Sequence, residues 1–115
     1  MGQKTWEAAI AERETQLGVE TVARMAKIFV DGSKSQLSTI TAAVERRNWM
    51  SARRCARDLA DNADALCFHH LRGVAEEFAE ACADATRTDL QGMATRLIAL
   101  VEITLVQLRA RYRLA

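Results

Sequence analysis

Not one proline interrupts this chain of 115 residues, and apolar side chains recur at intervals of three and four through nearly all of it. Proline removes a backbone donor and breaks helices, but it also supplies turns. A chain with no proline, five glycines and 5% aromatic residues lacks the turn residues that a sandwich or barrel needs every ten positions or so. The spacing of three and four instead lines apolar groups along one side of a helix. The expected fold class is therefore all-α. Half of the residues are hydrophobic. A chain of this length removes roughly two-thirds of its unfolded surface from water, enough for one domain over residues 1–115 with neither a disulfide framework nor a structural metal.

Five amphipathic segments can be marked off. The first runs from about Thr5 to Leu17, with Trp6 and Ile10 on one face and Gly18 as its C-terminal cap. The second extends from Val19 to about Arg47. Its stripe of Val22, Met25, Phe29, Leu37, Ile40 and Val44 stays in phase across Asp31-Gly32-Ser33, which predicts one long helix rather than two. Asn48 caps a third helix, Trp49 to about Leu66, whose buried stripe is Ala52, Cys55, Ala56, Leu59, Ala63 and Leu66. The fourth, Phe68 to about Asp84, buries Phe68, Leu71, Val74, Ala75, Phe78 and Cys82. Thr88-Asp89-Leu90-Gln91 reads as a capping box opening the last helix, which carries Leu90, Met93, Leu97, Val101, Leu105, Leu108 and Tyr112 inward.

Short connections between long helices favour antiparallel neighbours. Helices two to five are expected to form an antiparallel up-and-down four-helix bundle, with the short N-terminal helix packed at one end. The last helix carries a second stripe, Ala99, Ile103 and Val106, opposite the first. The first helix is expected to cover it, and a homodimer interface is the alternative.

Residues 1–17 lack the basic start and apolar run of a signal peptide, and no apolar stretch approaches the length of a spanning helix. Cys55, Cys67 and Cys82 are odd in number and have no framework spacing, as expected of a reduced, cytoplasmic chain. The formal charge of +1 removes bulk attraction to nucleic acid or anionic lipid, so neither is expected as a partner.

That balance conceals a switch. Arg46, Arg47, Arg53, Arg54 and Arg57 follow one another with no acid between them, whereas Asp58 to Asp84 holds seven acids and one arginine. Stepping 100° per residue puts Met50, Arg53, Arg54, Arg57, Asp61 and Asp64 on the face of the third helix opposite its apolar stripe. Arg54 with Asp58, and Arg57 with Asp61, have the spacing of intrahelical ion pairs.

Leu17-Gly18 at the end of the first helix, Phe29 in the second and Asn48-Trp49 before the third form an order that resembles the histidine-containing phosphotransfer (HPt) family. The resemblance covers nearly the whole chain and implies a four-helix bundle acting in a two-component phosphorelay. The family's mark is a helix reading His-x-Leu-Lys-Gly-Ser, about nine positions after an Asp-Trp-like helix start. Nine positions after Asn48 stands Arg57, so that Arg57-Asp58-Leu59-Ala60-Asp61-Asn62-Ala63 occupies the signature and keeps only Leu59 of its named residues. A guanidinium stays protonated and has no free lone pair with which to accept a phosphoryl group. Ala60 stands where the family's lysine supplies positive charge, and Asp61 where its glycine leaves room for the incoming receiver domain. The resemblance therefore implies a pseudo-phosphotransfer protein. Such a chain binds a response-regulator receiver, or its histidine kinase, through Met50, Arg53, Arg54, Arg57, Ala60, Asp61 and Asp64, and carries no phosphate.

A second register exists. His69-His70-Leu71-Arg72-Gly73-Val74-Ala75 also fits the motif, with arginine for lysine, and makes His69 the alternative phosphoacceptor. It lies twelve residues late and lacks the helix-start residues upstream. In either case the chain is at most a phosphocarrier rather than an enzyme, and no cofactor is expected. Cys67, His69, His70 and Cys82 include metal-ligating types, but Cys82 falls on the core stripe and no Cys-x-x-Cys pair occurs, so no metal is expected. No glycine-rich phosphate loop, Gly-x-Ser-x-Gly elbow or His-Glu-x-x-His pair is present. A third reading is a structural helical adaptor that dimerises through Ala99, Ile103 and Val106.

Overall fold

A computed structural model of the chain describes residues 5–84 and 86–114. Among these residues it is all-helical: α1 (Trp6–Leu17), α2 (Val19–Glu45), α3 (Trp49–Ala65), α4 (His69–Cys82) and α5 (Leu90–Tyr112), with no strand.

Local chemistry sets most of the boundaries. The Thr5 hydroxyl accepts a hydrogen bond from the Ala8 amide at 3.2 Å and opens α1. Gly18, at φ +91°, is the single residue between α1 and α2, and its amide closes α1 by donating to the Glu14 carbonyl at 2.7 Å. Only glycine adopts that backbone without strain, so the chain turns a sharp corner there. α2 runs unbroken through Gly32, as its in-phase stripe requires. Asn48 caps α3 by accepting from the Ser51 amide at 3.3 Å.

The expected capping box of α5 does not form. Asp89 is the cap residue but makes no side-chain cap bond. Its carboxylate instead takes a two-pronged bond from Arg87, Nε at 2.9 Å and Nη2 at 2.7 Å. A charge-assisted pair of that geometry is stronger than one bond to a helix amide.

α2 packs on α3, α3 on α4, α4 on α5, and α5 back on α2, so four helices form a closed ring of neighbours. The core inside it holds Phe29, Ile40, Leu59, Phe78, Leu97 and Leu108, all buried. Val74, Met93 and Tyr112, expected inside, are half-buried at its margin. The buried surfaces of α3 and α4 are rich in alanine, with Ala52, Ala56, Ala60 and Ala63 on one and Ala75 and Ala79 on the other. Small side chains let two helix backbones approach closely.

α1 packs on α2 and joins two places far apart in the sequence. Trp6 stacks on Phe68 at 4.7 Å between ring centroids, and its Nε1 donates to the Leu66 carbonyl at 3.0 Å. At the other end, Glu14 meets Arg111 and Tyr112 of α5. The expectation that α1 covers the second stripe of α5 is not met: Ala99 is exposed, and Ile103 and Val106 are 57% and 64% exposed. α1 buries a single residue fully, Ile10, and its remaining apolar surface is spent on the α3–α4 junction.

Candidate functional site

Regular helical geometry carries the residues singled out by the sequence to one side of α3, but not all onto one surface. Met50, at 63% exposure, and Arg54, Arg57 and Asp61 face solvent. Arg53, Ala60 and Asp64 recur at seven and four residues and form the edge of that face nearest α4. Arg53 is half-buried, with its Nε enclosed and unpaired among the described residues, and its charge acts on Cys82 of α4. Ala60 is buried at 2% exposure, which corrects its assignment to a partner-binding surface. The reason is the close α3–α4 approach, which seals small side chains along that edge.

The charges on the face are arranged differently from the local expectation. Neither Arg54 with Asp58 nor Arg57 with Asp61 forms an ion pair among the described residues. Exposed pairs of this kind gain little and must immobilise long side chains. Asp64 is taken instead by α4: Arg72 Nη1 donates to its Oδ1 at 2.8 Å, and His69 Nδ1 lies 3.9 Å from the same oxygen. Arg72 also reaches Glu76, at 3.4 Å. Arg54 and Arg57 are thus the outward cations of α3 without a partner among the described residues.

His69 and His70 open α4 and are both exposed. Through Asp64, His69 sits at the C-terminal end of the α3 face, with Asp64 two turns, about 10 Å, beyond Arg57. Arg57 and His69 therefore lie on one side of the molecule. Neighbouring His69 is a groove of about 700 Å³ between α1, the α3–α4 junction and α5, lined by Trp6, Arg13, Cys67, Phe68, Leu100 and Ile103 among others. No pattern in the sequence signalled it, because it exists only through the placement of α1.

The thiols are enclosed by the fold. Cys55, Cys67 and Cys82 are free and buried. Burial, helped by Asp58, pushes the Cys55 thiol up to about 11, and burial pushes Cys82 to about 11 against the opposing charge of Arg53. Cys67 Sγ lies 3.7 Å from the Ala9 carbonyl. Among the described residues no group of three histidine, cysteine or acidic side chains is placed to hold a metal ion, and no helix is long and apolar enough to cross a membrane.

No family model matches the chain, and no curated protein and no solved structure is found to be similar to it.

Proposed function

We propose that the chain is a cytoplasmic, HPt-like signalling module that binds a response-regulator receiver domain, or the histidine kinase that feeds it, without carrying phosphate. The observation that carries this reading is Arg57, outward-facing on α3 and without an ion-pair partner among the described residues. Receiver domains present a cluster of carboxylates around their phosphorylated aspartate, and a fixed guanidinium suits such a cluster in charge and geometry. Arg54 and Met50 beside it add a second cation and an apolar contact. The reading takes α2 to α5 as an antiparallel up-and-down bundle with α1 at one end. The closed ring of helix neighbours and the short connections between them support that arrangement.

Binding to receiver domains encoded near this chain tests the proposal by titration calorimetry. Arg57→Ala is expected to weaken binding about tenfold, the equivalent of one charge-assisted hydrogen bond. Unchanged affinity removes Arg57 from the interface. Arg57→His is expected to restore little phosphotransfer, because Ala60 is buried and uncharged and Asp61 repels a phosphoryl group.

A second reading makes His69 the phosphoacceptor. Its support is an exposed imidazole at the end of the same face, close to Asp64. It predicts acid-labile phosphate on the chain after incubation with a phosphorylated receiver, abolished by His69→Ala. Absence of transferred label from such a receiver refutes it.

A further inference from the structure

The outward side of α5 has a regularity that its inward side does not explain. Ala99, Ile103, Val106 and Ala110 follow one another at intervals of four, three and four, the a and d spacing of a two-stranded coiled coil. All four are exposed, with Ile103 and Val106 more than half open to solvent. α1 leaves this seam uncovered. Flanking the seam along one border are Glu102 and Arg109, seven residues apart at equivalent heptad positions. Glu102 is exposed and has no partner among the described residues. Arg109 is half-buried, and its Nε is enclosed with no hydrogen-bond partner among them.

We infer that this face of α5 is a self-association surface, and that its occupant is α5 of a second copy of the chain, running antiparallel. In an antiparallel pair each a position meets a d position. Ile103 then packs on Val106 of the second copy, and Ala99 on Ala110. The same register brings Glu102 beside Arg109 of the second copy, twice over by symmetry. A parallel pair does not: there Glu102 faces Gln107, and Arg109 faces Leu114. The Glu102–Arg109 pair thus favours a second copy running antiparallel, while the like-charge contacts of Arg96 and Arg113 at the ends of the seam are common to both directions. Arg96 and Arg113, which bound the seam, approach each other only at its ends, where they remain in water. Three helical turns bury less than the roughly 1,200 Å² typical of stable interfaces, so the association is a weak one that depends on concentration.

Sedimentation equilibrium of the full chain, from about 20 µM to about 1 mM, tests the proposal. The weight-average mass is expected to climb from 12.8 kDa towards twice that value. Ile103→Glu, at an exposed position where circular dichroism verifies the fold, is expected to hold it at 12.8 kDa throughout. A wild-type mass that stays monomeric up to the highest concentration overturns the inference, and so does a dimer indifferent to Ile103→Glu. Glu102→Arg is expected to weaken the dimer and Arg109→Glu added to it to restore it; failure to restore overturns the assigned charge pair. For direction, the double variant Ala99→Cys with Ala110→Cys is expected to oxidise in air to a covalent dimer while Ala99→Cys alone does not. Efficient cross-linking of the single variant overturns the antiparallel register.

Discussion

Removing the carboxylate of Glu14 is expected to destabilise the protein by roughly 2 kcal/mol at neutral pH, and the magnitude follows from its surroundings. Its Oε1 accepts from Arg111 Nη2 at 2.7 Å, and its Oε2 accepts from Arg111 Nε at 3.2 Å and from the Tyr112 hydroxyl at 2.7 Å. These partners lie 97 and 98 residues away in sequence, so the contacts tie the first helix to the last. An exposed ion pair contributes about 0.2–1 kcal/mol and a hydrogen bond to a charged group about 1.5–3 kcal/mol. With side chains 13% and 28% exposed, Glu14 and Arg111 fall between those limits. The Arg111 guanidinium also lies 5.8 Å from the centre of the Trp6 ring, so its release loosens that contact too.

The pH dependence has a definite sign. The hydrogen bond from Arg111 is the main cause that holds the Glu14 carboxyl below its ordinary value of 4.5, with Tyr112 helping and burial opposing. Burial first, and then the bond to Glu14, push the Tyr112 phenol up to about 12, so it remains a donor at neutral pH. The folded state binds a proton at Glu14 less readily than the unfolded state does. Its contribution is therefore complete above the unfolded value and is lost as pH falls through the lowered folded one. Urea unfolding followed by circular dichroism at neutral pH and at about pH 2.5 measures this. The gap between wild type and Glu14→Gln is expected to be large at neutral pH and to shrink in acid. A loss under about 0.5 kcal/mol at neutral pH, or a gap of equal size in acid, refutes the clasp as described.

Two further outcomes rest on other parts of the fold. Gly32 lies exposed in the interior of α2 with open space where a Cβ would stand, so Gly32→Ala is expected to raise stability by roughly 0.5–1 kcal/mol; a decrease in urea midpoint would show that the helix needs to bend there. With thiols raised to about 11 and buried, Cys55 and Cys82 are expected to resist iodoacetamide at about pH 8 in the folded protein and to react on unfolding, and equal labelling in both states counts against their burial.

The candidate face illustrates why some of it was legible and some was not. That Met50, Arg54, Arg57 and Asp61 share an outward strip follows from helical periodicity, a property of neighbouring residues. The fate of Ala60 and Asp64 does not. Both lie on the edge where α4 approaches, and that approach is set by alanines on two helices at once. The same reason separates the ion pairs expected within α3 from the one made across the turn, between Asp64 and Arg72.

The sequence by itself determined the five helices, the caps at Gly18 and Asn48, and the continuity of α2 through Gly32, because each depends on backbone and side-chain groups within a few residues. It also determined the centre of each buried stripe, such as Phe29, Ile40, Leu59, Phe78 and Leu97, but not its margins, where Val74, Met93 and Tyr112 stay half-buried and Ala60 is enclosed by α4. Only the tertiary structure decided where α1 goes, and with it the groove beside His69 and the open outer face of α5. α1 has little apolar surface of its own, so its position is chosen by a few specific contacts, Trp6 on Phe68 and Glu14 on Arg111. Those partners are remote in sequence, and no local pattern encodes their meeting.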